Sequence, residues 1–194
     1  SDTRMNRVLQ GEVGAGKTFV ALMALLAAVE AGGQGVMMAP TEILAQQHVA
    51  AVREMAAPAQ VVVDILTGRD KGAERRRKLE ALAKGDIQIL LGTHAVFQKD
   101  VEFQDLRLAV IDEQHRFGVS QRMALGEKGA LADVLVMTAT PIPRSLSLTQ
   151  YGDLDVSILD EKPPGRTPVT TALISVERIA EVVAQLKKAV AEGR

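Results

Sequence analysis

The sequence contains no cysteine and no tryptophan, and aromatic residues make up only 3% of its 194 residues. Without cysteine there is no disulfide framework, no thiolate metal site and no cysteine nucleophile. So few aromatic side chains argue against a base-stacking surface of the kind that binds single-stranded nucleic acids. An excess of one charge is also missing, because 23 Lys and Arg residues face 24 Asp and Glu residues. This balance excludes a histone-like polycation and an acidic tail protein, although a local basic groove remains compatible with it.

Long hydrophobic runs are absent as well. The longest, residues 19–29, is well short of the ~20 residues that a membrane-spanning helix needs. No signal-like stretch opens the sequence. We therefore expect a soluble, cytoplasmic protein with an aliphatic core and no membrane partner, built as one generous domain or as one domain with part of another.

Short aliphatic runs alternate with longer helical patterns along the chain. The predicted strands are residues 7–10, 35–39, 60–66, 87–91, 107–112 and 134–138. Several are continuous apolar runs, which are typical of strands covered on both faces in a mostly parallel sheet. The predicted helices are residues 17–31, 42–56, 73–84 and 121–125. The first of them is apolar on nearly every face, so we expect it to be buried. This order predicts a doubly wound α/β fold with helices on both faces of the sheet.

The composition changes near the end of the chain. A Pro/Gly-rich stretch at residues 161–168 predicts a linker between a domain at residues 1–160 and a shorter segment at residues 169–194. That segment holds one predicted strand, residues 169–174, and one amphipathic helix marked by apolar residues from Ile179 onwards. A lone strand and helix cannot form a domain, so we expect them to open a second domain that the sequence does not contain.

A phosphate-binding loop is predicted between the first strand and the first helix. The residues that match the pattern G-x-x-x-x-G-K-[ST] are Gly11, Glu12, Val13, Gly14, Ala15, Gly16, Lys17 and Thr18. In such a loop the glycines let backbone N–H groups surround the phosphates, and the helix N-terminus adds a positive dipole. We expect Lys17 to contact the β- and γ-phosphates of ATP and the Thr18 hydroxyl to bind Mg²⁺.

Two adjacent carboxylates, Asp112 and Glu113, follow the aliphatic strand at residues 107–112. Ligands of open α/β sheets bind at the carboxyl ends of the strands, so this pair is expected to face the phosphate loop. We predict that Asp112 holds Mg²⁺ together with Thr18, and that Glu113 orients or deprotonates the attacking water. The three histidines are scattered along the chain: His48, His94 and His115. With no cysteine to join them, they do not suggest a metal site.

Longer motifs resemble a known family. Residues 112–119 (DEQHRFGV) and 138–144 (TATPIPR) resemble the DExH-type superfamily-two helicases, in the group shared by RecG and the transcription-repair coupling factor. Residues 121–122, 151–155 (YGDLD) and 163–166 (PPGR) resemble the RecG family in particular.

The resemblance implies the first, RecA-like motor lobe of a bacterial, ATP-driven translocase on double-stranded DNA that remodels branched DNA such as stalled forks. The catalytic residues that it implies are Lys17, Asp112, Glu113 and His115. The motif that it implies for coupling ATP hydrolysis to DNA is Thr138, Ala139 and Thr140. This motif is expected on a strand between the phosphate-loop strand and the Asp112 strand, with its two hydroxyls directed towards His115.

Three segments at predicted strand ends are expected to contact DNA, two of them because they match DNA-facing segments of the family. They are Pro40 and Thr41; Thr67, Gly68 and Arg69; and Gly92, Thr93 and His94. Hydroxyl and backbone N–H groups at such ends can bind phosphates, which predicts backbone contacts without base specificity. The dense charge run at residues 74–78 is more readily interpreted as a solvated helix face than as a DNA contact.

Two alternatives remain open. One is the motor lobe of a transcription-repair coupling translocase, which the segments at residues 151–155 and 163–166 disfavour. The other is a nucleotide- and DNA-binding module with little turnover of its own. The resemblance implies that ATP lies between two lobes, with arginine fingers from the second, and such a finger accelerates turnover by ~10³–10⁵ in comparable systems. The second lobe and the wedge domain are therefore expected partners that the sequence does not contain. The helix before the first strand, which carries adenine recognition in the family, is expected to be absent too.

Overall fold

The structure, a computed structural model, describes residues 5–112, 132–140, 155–161 and 171–193. The chain divides into two compact units, Ser1–Lys162 and Pro163–Arg194. Several predicted features lie outside the described residues, including Glu113, His115 and the helix expected at residues 121–125.

Seven strands of the described residues form one sheet in the first unit. They are β1 (Asn6–Gly11), β2 (Gln34–Met38), β3 (Val63–Leu66), β4 (Ile89–Gly92), β5 (Leu106–Asp112), β6 (Asp133–Thr138) and β7 (Asp155–Leu159). Their order is β3-β4-β2-β5-β6-β1-β7, and every neighbouring pair is parallel. The predicted parallel α/β architecture is confirmed, and it brings the carboxyl ends of all these strands to one edge.

Helices follow several strands of this sheet. They are α1 (Lys17–Glu30), α2 (Glu42–Ala56) and α3 (Gly72–Lys84) in the first unit, and α4 (Ile179–Ala191) in the second. The predicted bounds of α2 are confirmed, and Thr41 caps its N-terminus, because the Thr41 hydroxyl accepts a hydrogen bond from the Leu44 N–H at 3.3 Å. None of the described helices is long and apolar enough to cross a membrane.

Apolar side chains cover both faces of the sheet. Along β2, Val36 belongs to one buried cluster with Leu82 of α3, while its neighbour Met37 belongs to a second cluster with Leu22 of α1. Successive strand residues point to opposite faces, so a continuous aliphatic run fills both layers at once. The interpretation of these runs as doubly covered strands is therefore confirmed.

Two strand predictions were wrong, one at its start and the other over its described part. β3 begins only at Val63, because Gln60 adopts the left-handed conformation (φ 55°) that closes a short 3₁₀ helix at Ala57–Ala59. In the second unit, residues 171–175 are not a strand, so the described part of the strand predicted at residues 169–174 is not formed. Instead Ser175 caps a 3₁₀ turn, Val176–Arg178, that leads into α4.

The expected burial of the first helix was also wrong in part. Ala21, Leu22 and Leu25 are buried, but Phe19 and Met23 are 57% and 52% exposed. The helix packs one face on the sheet, and its apolar composition does not require the opposite face to be covered.

Candidate nucleotide-binding site

The predicted phosphate loop joins β1 to α1 in a tight turn. The Ala15 N–H donates to the Glu12 carbonyl at 3.1 Å, and Gly14 and Gly16 have φ values of 88° and 90°. Only glycine adopts this left-handed backbone readily, which explains both residues. Helix α1 starts at Lys17 with no side-chain cap and no acidic residue in its first turn among the described residues. The positive end of the helix dipole is thus directed at the loop, and no carboxylate in the first turn of the helix compensates it.

The Lys17 side chain lies over this loop. Its ammonium donates to the carbonyl oxygens of Gly11 at 2.7 Å and of Glu12 at 2.8 Å. These two bonds hold the charge at the centre of the turn, beside the helix N-terminus. The loop therefore concentrates positive charge where a phosphate ligand would enter.

One cleft connects the phosphate loop to the ends of two other strands. It has a volume of about 320 Å³ and is lined by Val13, Gly14, Gly16, Lys17, Thr18, Asp112 and Ala139. The order β5-β6-β1 accounts for this arrangement, because the three strands are neighbours and end at the same edge. The predicted metal ligands Thr18 and Asp112 thus line a single cleft together with Lys17.

The predicted coupling motif begins at Thr138, the last residue of β6, which lies between β5 and β1. Thr138 is buried, and its hydroxyl lies 3.0 Å from the Thr140 hydroxyl and accepts a hydrogen bond from the Thr140 N–H at 3.2 Å. These contacts close a local turn that presents Ala139 to the cleft. The expected contact of the two threonines with His115 lies outside the described residues.

A histidine with no predicted role lies beside this cleft. His48 Nε2 is 2.9 Å from Asp112 Oδ2, and both side chains are 15% exposed. His48 is therefore not an isolated histidine, as its scattered position in the sequence suggested. The sequence did contain one signal that His48 lies near the core. His48 precedes Val49 and follows Ala45 by one helical turn, so it borders the buried stripe of α2.

The three segments predicted to contact DNA lie on the other half of the sheet edge. They follow β2, β3 and β4, which are neighbours, whereas the nucleotide cleft is formed at β5, β6 and β1. The exposed residues among them are Thr41, Gly68, Arg69 and His94. The side chains of Thr67 and Thr93 are buried and Pro40 is half-buried, so the Thr67 and Thr93 hydroxyls are not presented at the surface.

Charge compensation limits the basic character of this half. Arg69 Nε lies 3.1 Å from Glu42 Oε1, which joins the segment after β3 to the start of α2. In the charge run of α3, Arg77 pairs with Glu74 and is well exposed, in agreement with a solvated helix face. Lys78 departs from that interpretation, because it is only 8% exposed.

The sequence profile of the DEAD/DEAH box helicase family matches residues 2–149. The chain belongs to this family. It is 53% identical over 192 residues to the ATP-dependent DNA helicase RecG of Haemophilus influenzae, which covers 97% of this chain and 28% of that protein. It is 50% identical over 194 residues to the RecG of Bacillus subtilis, which covers 100% of this chain and 28% of that protein.

A solved structure of RecG bound to a three-way DNA junction matches the whole chain with a TM-score of 0.82 and 43% identity, over 26% of that chain. The resemblance to RecG and the RecA-like helicase lobe are thereby confirmed. The chain spans a little more than a quarter of the length of the curated relatives it matches.

Proposed function

We propose that this chain is the ATP-binding and ATP-hydrolysing first motor lobe of a helicase that translocates on double-stranded DNA and remodels branched DNA. The observation that carries the proposal is the single cleft that unites Lys17, Thr18 and Asp112 at neighbouring strand ends. Such a combination of an ammonium, a hydroxyl and a carboxylate is what binding of a magnesium–nucleotide complex requires.

The donor set fits both components of that complex. The amide-rich loop, the N-terminus of α1 and the Lys17 ammonium suit the negative phosphates. The Thr18 hydroxyl and the Asp112 carboxylate are hard oxygen ligands, which Mg²⁺ prefers. When bound, the ion would neutralise charge that develops on the phosphates. Glu113, the next residue in the sequence, is proposed to orient or deprotonate the attacking water, with His115 and the turn at Thr138 linking the site to DNA.

The proposed DNA contacts are the exposed residues after β2, β3 and β4. Thr41, Gly68, Arg69 and His94 offer hydroxyl, amide, guanidinium and imidazole groups on one half of the sheet edge. These groups suit phosphates rather than base edges, so binding is proposed to be independent of sequence. The branched-DNA substrate is supported by the solved RecG complex with a three-way junction.

Turnover by the chain alone is proposed to be slow. The matched relatives are about three and a half times as long, which supports a second motor lobe and a wedge domain in the whole protein. Bacterial relatives also support a cytoplasmic site of action on DNA. Arginine fingers from the second lobe accelerate phosphoryl transfer by ~10³–10⁵ in comparable motors. A nucleotide-binding module with little activity of its own is the second candidate function for these 194 residues.

Nucleotide binding and hydrolysis, measured with and without forked DNA, test the proposal. Lys17→Ala is expected to weaken Mg-ATP binding roughly 10–100-fold, because it removes a charged hydrogen bond to phosphate. Lys84→Ala, which removes an exposed lysine at the end of α3, is the matched control and should bind as wild type does. Glu113→Gln should retain binding and lose hydrolysis. Equal Mg-ATP binding by wild type and Lys17→Ala would contradict the proposed site.

Motor-like turnover stimulated by forked DNA would exclude the second candidate. Tight binding of Mg-ATP without such turnover would support the nucleotide-binding module as the function of this chain.

A further inference from the structure

The contact between His48 and Asp112 joins the two halves of the sheet edge. Asp112 ends β5, and His48 lies in the second turn of α2, the helix that follows the neighbouring strand β2. The histidine sits on a fixed part of that helix, because Ala45 and Val49 are 0% and 3% exposed in the core. Its imidazole is thus held against Asp112, which lines the nucleotide cleft, by a packed element rather than by a loop.

The direction of this hydrogen bond follows from the two groups. An ionised carboxylate only accepts hydrogen bonds, so Nε2 of His48 carries the hydrogen and donates it to Oδ2 of Asp112 at 2.9 Å. A nitrogen that donates to the carboxylate cannot at the same time ligate a metal ion through a lone pair. Nε2 is therefore a partner of the carboxylate, and not a magnesium ligand.

We propose that His48 is a positioning residue that holds the Asp112 carboxylate in the orientation required for magnesium binding. This inference rests on the proposed function of Asp112. A carboxylate has about four lone-pair sites, so one bond from Nε2 fixes its rotation and leaves acceptors for a hydrated ion. Groups that hydrogen-bond to a metal-binding carboxylate typically change metal affinity or activity 10–100-fold when they are removed.

A matched pair of substitutions separates the hydrogen bond from the packing. Glutamine and methionine have similar length and both suit a helix interior, but only glutamine carries an N–H donor near the position of Nε2. His48→Gln therefore keeps the proposed bond, and His48→Met removes it at nearly constant volume. Gln47→Ala changes an exposed neighbour on the same helix and serves as the control.

The measurement is binding of a fluorescent ATP analogue to the chain, titrated with Mg²⁺ and repeated in EDTA. His48→Met is expected to raise the Mg²⁺ concentration at half-saturation 10–100-fold while binding in EDTA stays unchanged. His48→Gln should lie closer to wild type than to His48→Met, and Gln47→Ala should match wild type. Thermal unfolding, monitored by circular dichroism, checks that every variant is folded.

The outcomes distinguish this inference from the function on which it rests. If Asp112→Asn raises the Mg²⁺ requirement but His48→Met does not, the positioning role is wrong and the magnesium site stands. Equal increases for His48→Gln and His48→Met would also overturn the inference, because the N–H donor would then be irrelevant. If Lys17→Ala and Asp112→Asn both bind as wild type does, the proposed function fails, and the inference fails with it.

Discussion

The ammonium of Lys78 lies 2.6 Å from a carboxylate oxygen of Asp70 and donates to the Ile65 carbonyl at 2.9 Å. Asp70 in turn accepts hydrogen bonds from the Thr67 N–H at 2.7 Å and from its hydroxyl at 3.2 Å. Lys78 of α3 thus fastens the turn after β3, the turn that presents Arg69 at the surface. The proposed DNA contact depends on a buried ion pair behind it.

Replacing Lys78 with methionine is expected to destabilise the first unit by roughly 1–3 kcal/mol. The substitution keeps the apolar stem but leaves the Asp70 carboxylate, which is 13% exposed, without its cation. Urea unfolding measures the change in the free energy of unfolding. Arg76→Met, which removes an exposed cation from the same charge run, is the control and should change the stability little. Equal effects of the two substitutions would contradict the structural role of Lys78.

The same pair predicts a dependence of stability on pH. Burial acts to raise the pKa of Asp70, but hydrogen bonds from Lys78 and Thr67 outweigh it and hold that pKa below its usual value of 3.8. A carboxylate with a lowered pKa in the folded state stabilises the fold above its unfolded pKa and loses that contribution as the pH falls through the folded pKa.

We therefore compare wild type with Asp70→Asn by urea unfolding between neutral and acidic pH. The difference in the free energy of unfolding should be constant above about pH 5 and should shrink below about pH 4. A difference that does not vary with pH would show that the charge of Asp70 does not contribute to stability.

Side chains whose partners lie in other elements of the fold limited prediction most. The parallel sheet, the phosphate loop and the end of β5 could be predicted, because aliphatic runs and glycine spacing are local signals. Lys78 could not, because its burial depends on a carboxylate in a separate turn. His48 likewise gains its role only when β2 and β5 become neighbours in the sheet.

Strand β7 is a whole element of the fold that the sequence pattern did not predict. Asp155 and Ser157 interrupt its apolar pattern, which is why it was not predicted as a strand. In the structure these two polar residues accept hydrogen bonds from the Arg7 guanidinium of β1, at 3.0 Å and 2.8 Å. The polar residues that interrupt the apolar pattern of the strand therefore add side-chain bonds to its backbone pairing with β1.

The ion pair of Glu42 and Arg69 predicts how charge controls DNA binding. Glu42→Gln releases the Arg69 guanidinium from a partner at 3.1 Å, so we expect stronger binding to duplex DNA at low salt. Arg69→Ala should weaken binding and reduce the salt slope by about 0.9, the value for one phosphate contact. Fluorescence anisotropy over a series of salt concentrations measures both effects.

Glu54→Gln is the matched control for that experiment. It removes the same charge from an exposed position on the same helix. If Glu54→Gln strengthens DNA binding as much as Glu42→Gln does, the effect reflects net charge alone and Arg69 is not a specific contact.

The carboxyl end of β4 requires a glycine for a steric reason. Gly92 is paired in register with Leu66 at the end of β3, and a Cβ atom at Gly92 would collide with the Leu66 carbonyl oxygen. It would also press on the Val96 side chain in the 3₁₀ helix that follows. Because a backbone carbonyl cannot rotate away as a side chain can, the two strands would have to separate.

We expect Gly92→Ala to destabilise the first unit by roughly 1–3 kcal/mol and to weaken duplex binding, since it displaces the ends of both strands. Gly68→Ala is the matched control, because a Cβ atom there meets nothing within 4 Å. Urea unfolding measures the two variants side by side, and DNA anisotropy compares Gly92→Ala with wild type. If Gly92→Ala is as stable as Gly68→Ala, the ends of β3 and β4 are not packed as closely as the structure places them.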